Sequence, residues 1–178
     1  MAELKPIDAE KDIPSTISDT PIGDLLRYQN LGAAPKEYAT AKLLIGTCID
    51  NRIDLKLPRN FAFVLRDAGA NLSPEDFAAA FVTGYAGVRH LALIGHTHCG
   101  MSGLEDRRKE VISGLVSAGW DPEKAANHFD ESADSAEIGD VTKFIFEEAK
   151  RFRARHPGLT VEPLIYDVDD HRLYLIAA

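Results

Sequence analysis

Three side chains capable of chemistry follow one apolar run at alternate positions. In the stretch LLIGTCIDNRIDL, residues 43–55, the apolar part ends in a thiol, a carboxylate and a guanidinium, carried by Cys48, Asp50 and Arg52. Ordinary turn chemistry does not need these groups. A thiolate binds metal ions, and a guanidinium can hold a carboxylate ionised in a two-pronged ion pair. The spacing therefore indicates a metal-binding or reactive site where this segment ends.

A second set of possible ligands follows a later apolar run. The stretch HLALIGHTHCG, residues 90–100, carries His96 and Cys99, and Cys48 and Cys99 are the two cysteines of the chain. Composition alone leaves open that each cysteine is a small buried apolar residue, or that the pair is a coincidence. Two thiolates and one imidazole are the ligands that tetrahedral zinc prefers, and three protein ligands leave a fourth position for catalysis. We therefore expect Cys48, His96 and Cys99 to hold one Zn²⁺.

Asp50 has two possible roles in such a site. If its carboxylate permanently takes the fourth position, it is itself a zinc ligand and the site is closed and structural. Arg52 can instead hold the carboxylate away from the metal, so that Asp50 gates or orients what enters. We expect Asp50 and Arg52 to be catalytic, with Asp50 also a candidate ligand.

Strand ends must bring these residues together. The apolar runs at 41–46, 61–66 and 90–95 predict buried strands. Between the second and third, Ser73 as N-cap and Pro74 predict the start of a helix with one apolar stripe, Phe77, Phe81, Tyr85 and Val88. A strand–helix–strand unit implies parallel strands, and ligands gather at the carboxyl ends of such strands.

The remaining segments complete one α/β domain with a mostly parallel central sheet flanked by helices. Residues 1–40 are expected to form an N-terminal arm with a short helix at 22–31, and the first twenty residues are expected to be loosely held. Residues 41–178 are expected to form the α/β zinc domain. A further helix is predicted at 104–119, with Leu104, Val111 and Leu115 facing inward. Another is predicted from the cap Asp121 onwards, and a third at 135–158. The run 130–137 is expected to be a solvated loop and helix start. Two closing strands are expected at 160–167 and 172–177, the first near a sheet edge because of Pro163.

Composition narrows the class of partner. The chain has 178 residues, 20 basic and 28 acidic, with a formal net charge of −8. This acidic balance argues against nucleic acid or an anionic membrane as a partner. The charged N-terminus does not resemble a signal peptide, and no apolar run reaches the length of about 20 residues that spans a bilayer. We expect a cytoplasmic protein.

The quoted motifs resemble those of the β-class carbonic anhydrases. Cys-x-Asp-x-Arg followed by His-x-x-Cys is similar to the family's paired motif. LRDAGANL at 65–72, the run at 77–101 and the closing strands at 163–176 resemble its other segments. The resemblance implies zinc ligands at Cys48, His96 and Cys99, and a catalytic dyad at Asp50 and Arg52 whose carboxylate can become the fourth ligand. It implies reversible hydration of carbon dioxide to bicarbonate by a zinc-bound hydroxide, in a homodimer or higher homo-oligomer.

Several departures leave the substrate open. Asn51 stands where serine is common, Asp67 where asparagine is usual, and the segment 107–136 is unlike typical members. Related enzymes use the same ligands to hydrolyse carbonyl sulfide or carbon disulfide, and a catalytically silent zinc-binding regulatory module is a third possibility. His90 and His98 are candidate proton shuttles, the alternative being an exposed or backbone-bonded histidine.

Overall fold

A computed structural model of the chain describes residues 3–177. Over this range the chain forms one sheet of six strands, in the order β1-β6-β5-β4-β2-β3. The strands are β1 Leu4–Lys5, β2 Leu43–Thr47, β3 Ala62–Arg66, β4 His90–His96, β5 Thr160–Tyr166 and β6 Leu173–Ile176. The helices are α1 Ser15–Ser18, α2 Pro21–Asn30, α3 Asp76–Tyr85, α4 Arg108–Ser117, α5 Pro122–Ala136 and α6 Val141–Arg155. The expected α/β class with a mostly parallel central sheet is confirmed.

Four adjacent strands of the sheet, β5, β4, β2 and β3, run parallel to one another. β2 lies between β3 and β4 and pairs with both in parallel, and β4 pairs with β5 in parallel. All five residues of β2 are buried, because helices cover both faces of the sheet and a strand buried on both sides reads as an unbroken apolar run. The carboxyl ends of β2 and β4 therefore meet at one edge of the sheet, as the strand–helix–strand pattern predicts.

The two faces of the sheet bury separate cores. One core joins α2 and the N-terminal residues to the face that carries Ile45 and Ile94. The other joins α3 and α6 to the face that carries Leu44 and Leu93. The predicted helix at 22–31 corresponds to α2, which begins with Thr20 as N-cap.

The expectation of a loosely held N-terminus is wrong for residues 3–20. Ile7, Ile13 and Ile17 are buried in the first core, and β1 pairs antiparallel with β6. Ile13 and Ile17 have a helical spacing of four, but Ile7 does not continue it, so the sequence pattern did not reveal that tertiary packing would bury all three. The division of the chain at residue 40 stays a prediction.

Helix α3 differs from its prediction in two ways. It begins at Asp76 rather than after Ser73, because Ser73 donates its backbone N–H to the Asn71 side chain in a turn that precedes the helix. Its aromatic residues also face outward. Its buried residues are Ala79 and Val82, whereas the predicted stripe of Phe77, Phe81 and Tyr85 lies exposed; Val88, beyond the helix, is buried as expected.

The middle of the chain forms a helical hairpin. Asp121 caps α5 as predicted, its carboxylate accepting from the backbone N–H groups of Glu123 and Lys124. The expected loop at 130–137 is wrong, because α5 continues to Ala136, and the last helix begins at Val141 rather than 135. In α4, Val111 is exposed rather than inward, while Leu104 before the helix is buried.

The prediction that the fifth strand lies near an edge of the sheet is also wrong. β5 lies between β4 and β6, inside the sheet. Pairing with β6 begins at Leu164, so Pro163 lies just beyond the end of that ladder and its missing N–H costs no bond there. Among residues 3–177, no helix has the length and apolar character needed to cross a bilayer.

Candidate metal centre

Two neighbouring strand ends bring three ligand side chains together. Cys48 follows β2, His96 is the last residue of β4, and Cys99 lies in the turn after β4. One ligand atom from each residue lies within 4.8 Å of the other two, and all three residues are buried. Thr47, the last residue of β2, donates its hydroxyl to the Ile94 carbonyl at 3.1 Å and ties the two strand ends to each other. The residues that the sequence predicts as ligands thus form one compact group.

The imidazole of His96 is oriented as a ligand. Its Nδ1 lies 3.0 Å from the Thr97 carbonyl oxygen, so a neutral ring that donates from Nδ1 keeps a lone pair on Nε2. The Nε2 atom is buried and has no hydrogen-bond partner among the described residues. A buried nitrogen without a partner is costly, and a metal ion is the partner that suits two nearby thiolates. The donor set therefore fits Zn²⁺.

The Cys48 thiol is held in a site that favours its ionised form. A hydrogen bond from Cys99 lowers the pKa of Cys48 to about 4, and the backbone N–H of Gly69 also contacts the Cys48 Sγ at 3.3 Å. The same Cys48 contact, together with burial, raises the pKa of Cys99. The pair therefore gives up one proton readily and retains the second, which a bound cation would displace.

Gly69 is required for this arrangement. Its φ of +65° is a left-handed conformation, and a Cβ at this position would lie 2.6 Å from Ile138 Cγ2. The turn that contains Gly69 is capped by Asp67, whose carboxylate accepts from Ala68 N at 2.6 Å. The aspartate that stands where the resembled family usually has asparagine therefore supports the turn that places Gly69 against the Cys48 sulfur.

Arg52 holds Asp50 by several bonds. The Arg52 Nε donates to Asp50 Oδ1 at 3.0 Å, its Nη2 donates to Oδ2 at 2.7 Å, and its backbone N donates to Oδ1 at 2.9 Å. The same Nη2 donates to the His98 carbonyl oxygen at 2.9 Å, which ties the pair to the loop after β4. The Arg52 side-chain hydrogen bonds lower the pKa of Asp50 to about 2. Asp50 is therefore a carboxylate at any physiological pH.

The held carboxylate lies beside the ligand group. Asp50 Oδ2 is 3.8 Å from His96 Nε2. Because a zinc ion bonds nitrogen and carboxylate oxygen at about 2.0–2.2 Å, an oxygen this close to a ligand atom borders the region where the ion would lie. In this conformation both carboxylate oxygens bond to Arg52.

Arg66 is a site residue that the sequence analysis missed. It is the last residue of the edge strand β3, and its Nη1 donates to the carbonyl oxygens of Cys48 at 3.1 Å and Asp50 at 3.3 Å. Its Nη2 donates to the Ile53 carbonyl at 3.1 Å. One guanidinium therefore holds the loop that carries Cys48, Asp50 and Arg52. One feature of the sequence pointed to this role, because Arg66 stands at the end of a predicted strand within the segment LRDAGANL.

The candidate proton shuttles and Asn51 lie outside the group. His90 is the first residue of β4, about 20 Å along the strand from His96, so it is not placed to exchange protons there. The His98 side chain is exposed, with Nε2 3.5 Å from Asp169 Oδ2, and its carbonyl rather than its ring contacts Arg52. Asn51 is exposed in the turn after Asp50.

Several solved structures of other proteins have a fold similar to that of this chain. A carbonic anhydrase from Glaciozyma antarctica matches with a TM-score of 0.60 and 24% identity, over 93% of this chain and 100% of the other. A β-carbonic anhydrase from Trichomonas vaginalis matches with a TM-score of 0.63 and 18% identity, over 92% and 98%. A carbon disulfide hydrolase matches with a TM-score of 0.56 and 19% identity, over 92% and 91%. No protein-family model and no curated protein sequence matches the chain. At these identities the likeness shows the fold, which is that of the β-carbonic anhydrases.

Proposed function

We propose that this chain, with its β-carbonic anhydrase fold, is a zinc-dependent carbonate dehydratase that interconverts carbon dioxide and bicarbonate. The observation that carries the proposal is the position of Asp50. Its carboxylate is ionised, held by Arg52, and 3.8 Å from the free nitrogen of His96. A purely structural zinc site has no use for a separately held carboxylate beside three ligands.

Cys48, His96 and Cys99 would hold the ion. When bound, zinc lowers the pKa of a coordinated water toward neutrality and so supplies a nucleophile. Two thiolates neutralise the charge of the ion more than imidazoles do, so we expect the reaction to be faster at mildly alkaline pH. The buried sulfurs and the buried His96 ring keep the ligand set away from bulk solvent.

Asp50 and Arg52 would supply orientation. As a carboxylate, Asp50 can only accept hydrogen bonds, so an attacking water beside it must point a hydrogen at Asp50. A lone pair of the same water then points elsewhere, toward the carbon of the substrate. Arg52 fixes the direction of the carboxylate through its two-pronged contact and is itself anchored on the His98 carbonyl. Arg66 holds the backbone of the same loop. These contacts give a preorganised acceptor beside the ligand group.

The direct test is a hydration assay on purified protein with its zinc content measured. We expect one zinc per chain and hydration of carbon dioxide well above the buffer rate between pH 7 and 9, increasing with pH. Zinc-loaded protein that is no faster than buffer over this range would refute the proposal and would favour a catalytically silent zinc-binding module.

A second substrate class deserves a parallel assay because a carbon disulfide hydrolase shares the fold. Carbon disulfide and carbonyl sulfide are linear, apolar molecules whose carbon can be attacked by the same nucleophile. Hydrolysis would release sulfide, which a headspace assay detects. Sulfide release without carbon dioxide hydration would move the proposal to this class.

The cellular setting is also part of the proposal. We propose a cytoplasmic protein that works as a homodimer or higher homo-oligomer. Its substrate is a small molecule rather than a nucleic acid or a membrane. Fractionation of cells that produce the protein, with membrane and soluble fractions compared, tests the location.

A further inference from the structure

A cleft lies at the end of the sheet opposite to the metal centre. It has a volume of about 490 Å³ and lies between the segment that follows α2 and the turn that precedes β3. β3 leads from this turn to Arg66, whose guanidinium holds the loop of the metal centre, so the length of the strand, about 13 Å, separates the two places. Pockets that hold small molecules in proteins measure about 300–1,000 Å³. The cleft therefore has the size of a ligand site, and none of the predicted zinc ligands lines it.

The walls of the cleft are apolar, and a buried group holds them in place. Pro35 belongs to the segment after α2 and Pro58 to the turn before β3, and the buried Tyr28 also lines the cleft. The side chain of Gln29, which is 2% exposed, accepts a hydrogen bond from the backbone N–H of Lys56 at 2.9 Å. This bond joins α2 to the segment that forms the second wall. The cleft is therefore formed in advance, and binding does not require ordering of its walls.

The charged residues that line the cleft are all cations. They are Lys56 and Arg59, both exposed, and no carboxylate of the described chain lines the cleft with them. Arg59 is the one arginine whose side chain has neither a hydrogen bond nor an ion pair within residues 3–177. Glu37 lines an adjoining cleft that shares Arg59, but it forms no ion pair with that guanidinium. In a chain with a net charge of −8, a cleft whose charges are all positive attracts anions where the rest of the surface repels them.

We propose that this cleft binds a flat organic anion, whose ring packs against Pro35 and Pro58. Its anionic group pairs with Arg59 and Lys56. The planar guanidinium of Arg59 has a fork of N–H donors that matches a carboxylate, and it has no competing partner in the described chain. Lys56 Nζ donates to the Gln29 carbonyl at 3.3 Å and keeps its other N–H groups for the ligand. A neutral ring would leave the guanidinium unpaired, and an anion without a ring would leave the apolar walls in water. The proposal does not depend on the metal chemistry.

Naphthoate is the probe, and two related molecules separate its two features. Naphthamide has the same ring without the charge, and acetate has the charge without the ring. Arg59→Gln removes the unpaired guanidinium, and Ala33→Phe fills the cleft from an exposed lining position without a change of charge. Lys109→Gln is the matched control, because it removes one exposed cation from α4, outside the cleft.

The measurement is a titration of the zinc-loaded protein, followed by the NMR chemical shifts of backbone amides, which also show whether each variant is folded. For naphthoate we expect saturation with a dissociation constant of about 1 mM or lower, as for an ordinary ligand of this size, and shifts centred on residues 32–35 and 56–60. We expect about 10-fold weaker binding for naphthamide and for Arg59→Gln, and unchanged binding for Lys109→Gln. Neither acetate with the wild type nor naphthoate with Ala33→Phe should saturate these shifts.

Three results would overturn the proposal. The first is a wild type with no saturable naphthoate binding. The second is a set of shifts centred on residues 96–99, since a carboxylate that binds there is held by the metal centre. The third is a loss of the role of charge, seen as naphthamide that binds as tightly as naphthoate or as a folded Arg59→Gln variant with unchanged affinity. Because the readout is the place and affinity of binding, a failure here is distinct from a failure of the proposed reaction.

Discussion

Removal of the Arg52 side chain separates a role in chemistry from a role in holding the metal. In Arg52→Ala the three ligands Cys48, His96 and Cys99 are untouched, so zinc should remain bound at one ion per chain. Asp50 loses both prongs of its ion pair and keeps only the bond from the backbone N–H of residue 52 to its Oδ1, so its Oδ2 becomes free to turn. Because its Oδ2 lies only 3.8 Å from His96 Nε2, the freed carboxylate can approach the ion and take the position that the substrate water needs.

The stability cost should be small. Arg52 is the largest cause of the shift of the Asp50 pKa from 3.8 to about 2, a difference equivalent to about 2.5 kcal/mol if it were fully expressed. The Arg52 side chain is 45% exposed, and screening by solvent reduces the contribution to about 1 kcal/mol. The kinetic cost should be larger, because a catalytic group displaced by about 1 Å can lose a factor of about 100 in rate.

The assay is stopped-flow carbon dioxide hydration, with zinc content and the free energy of unfolding measured on the same preparations. Arg108→Ala is the matched control, because Arg108 makes a similar two-pronged contact with Asp130, at 2.7 Å for both bonds, on the helical hairpin away from the site. For Arg52→Ala we expect kcat/KM to fall about 100-fold with zinc retained. For Arg108→Ala we expect wild-type kcat/KM and a similarly small loss of stability.

Two results would refute this reasoning. An Arg52→Ala protein with full zinc and near-wild-type kcat/KM would show that orientation of Asp50 does not matter to the reaction. A protein that loses its zinc would show that Arg52 acts on the metal site itself, and the dyad would then have a structural role.

Three further predictions concern stability and metal affinity. In zinc-free protein, Asp50→Asn should lower the free energy of unfolding by about 1 kcal/mol at pH 7. Because folding depresses the Asp50 pKa, this difference in the free energy of unfolding should be fully present above about pH 4 and disappear as pH falls toward 2. A pH-independent difference in denaturant titrations would contradict this prediction. Arg66→Met, which removes three bonds to loop carbonyls, should weaken zinc binding about 10–100-fold in competition with a chelator, and an unchanged affinity would exclude the positioning role. Gly46→Ala would place a Cβ 2.1 Å from Leu72 Cδ1 and should lower the free energy of unfolding by about 1–3 kcal/mol, measured by thermal unfolding. An unchanged Tm would show that Leu72 can move aside.

The parallel strands and the ligand group were predictable because they follow from local pattern. A strand buried on both faces is an unbroken apolar run, and the residue that breaks it marks the carboxyl end. Cys48 and His96 stand at two such breaks, and in a parallel sheet the corresponding ends of neighbouring strands lie side by side. The position of Cys99 then follows from the short turn after His96.

Other features depend on contacts that local pattern does not encode. In α3 both faces are apolar, so periodicity could not tell that Ala79 and Val82 would face the core and Phe77 would not. The acidic end of α5 reads as a loop, yet the helix continues past the buried Phe129 to Ala136. The role of Arg66 depends on carbonyl groups of a loop on the neighbouring strand, and backbone acceptors leave no trace in the sequence.

X-ray absorption at the zinc edge of the purified protein tests the central claim most directly. We predict two sulfur neighbours at about 2.3 Å, one imidazole nitrogen at about 2.0–2.1 Å and one further light atom that added small anions exchange. A shell without two sulfurs would contradict the assignment of Cys48 and Cys99, and a fourth ligand that no anion displaces would contradict the open position.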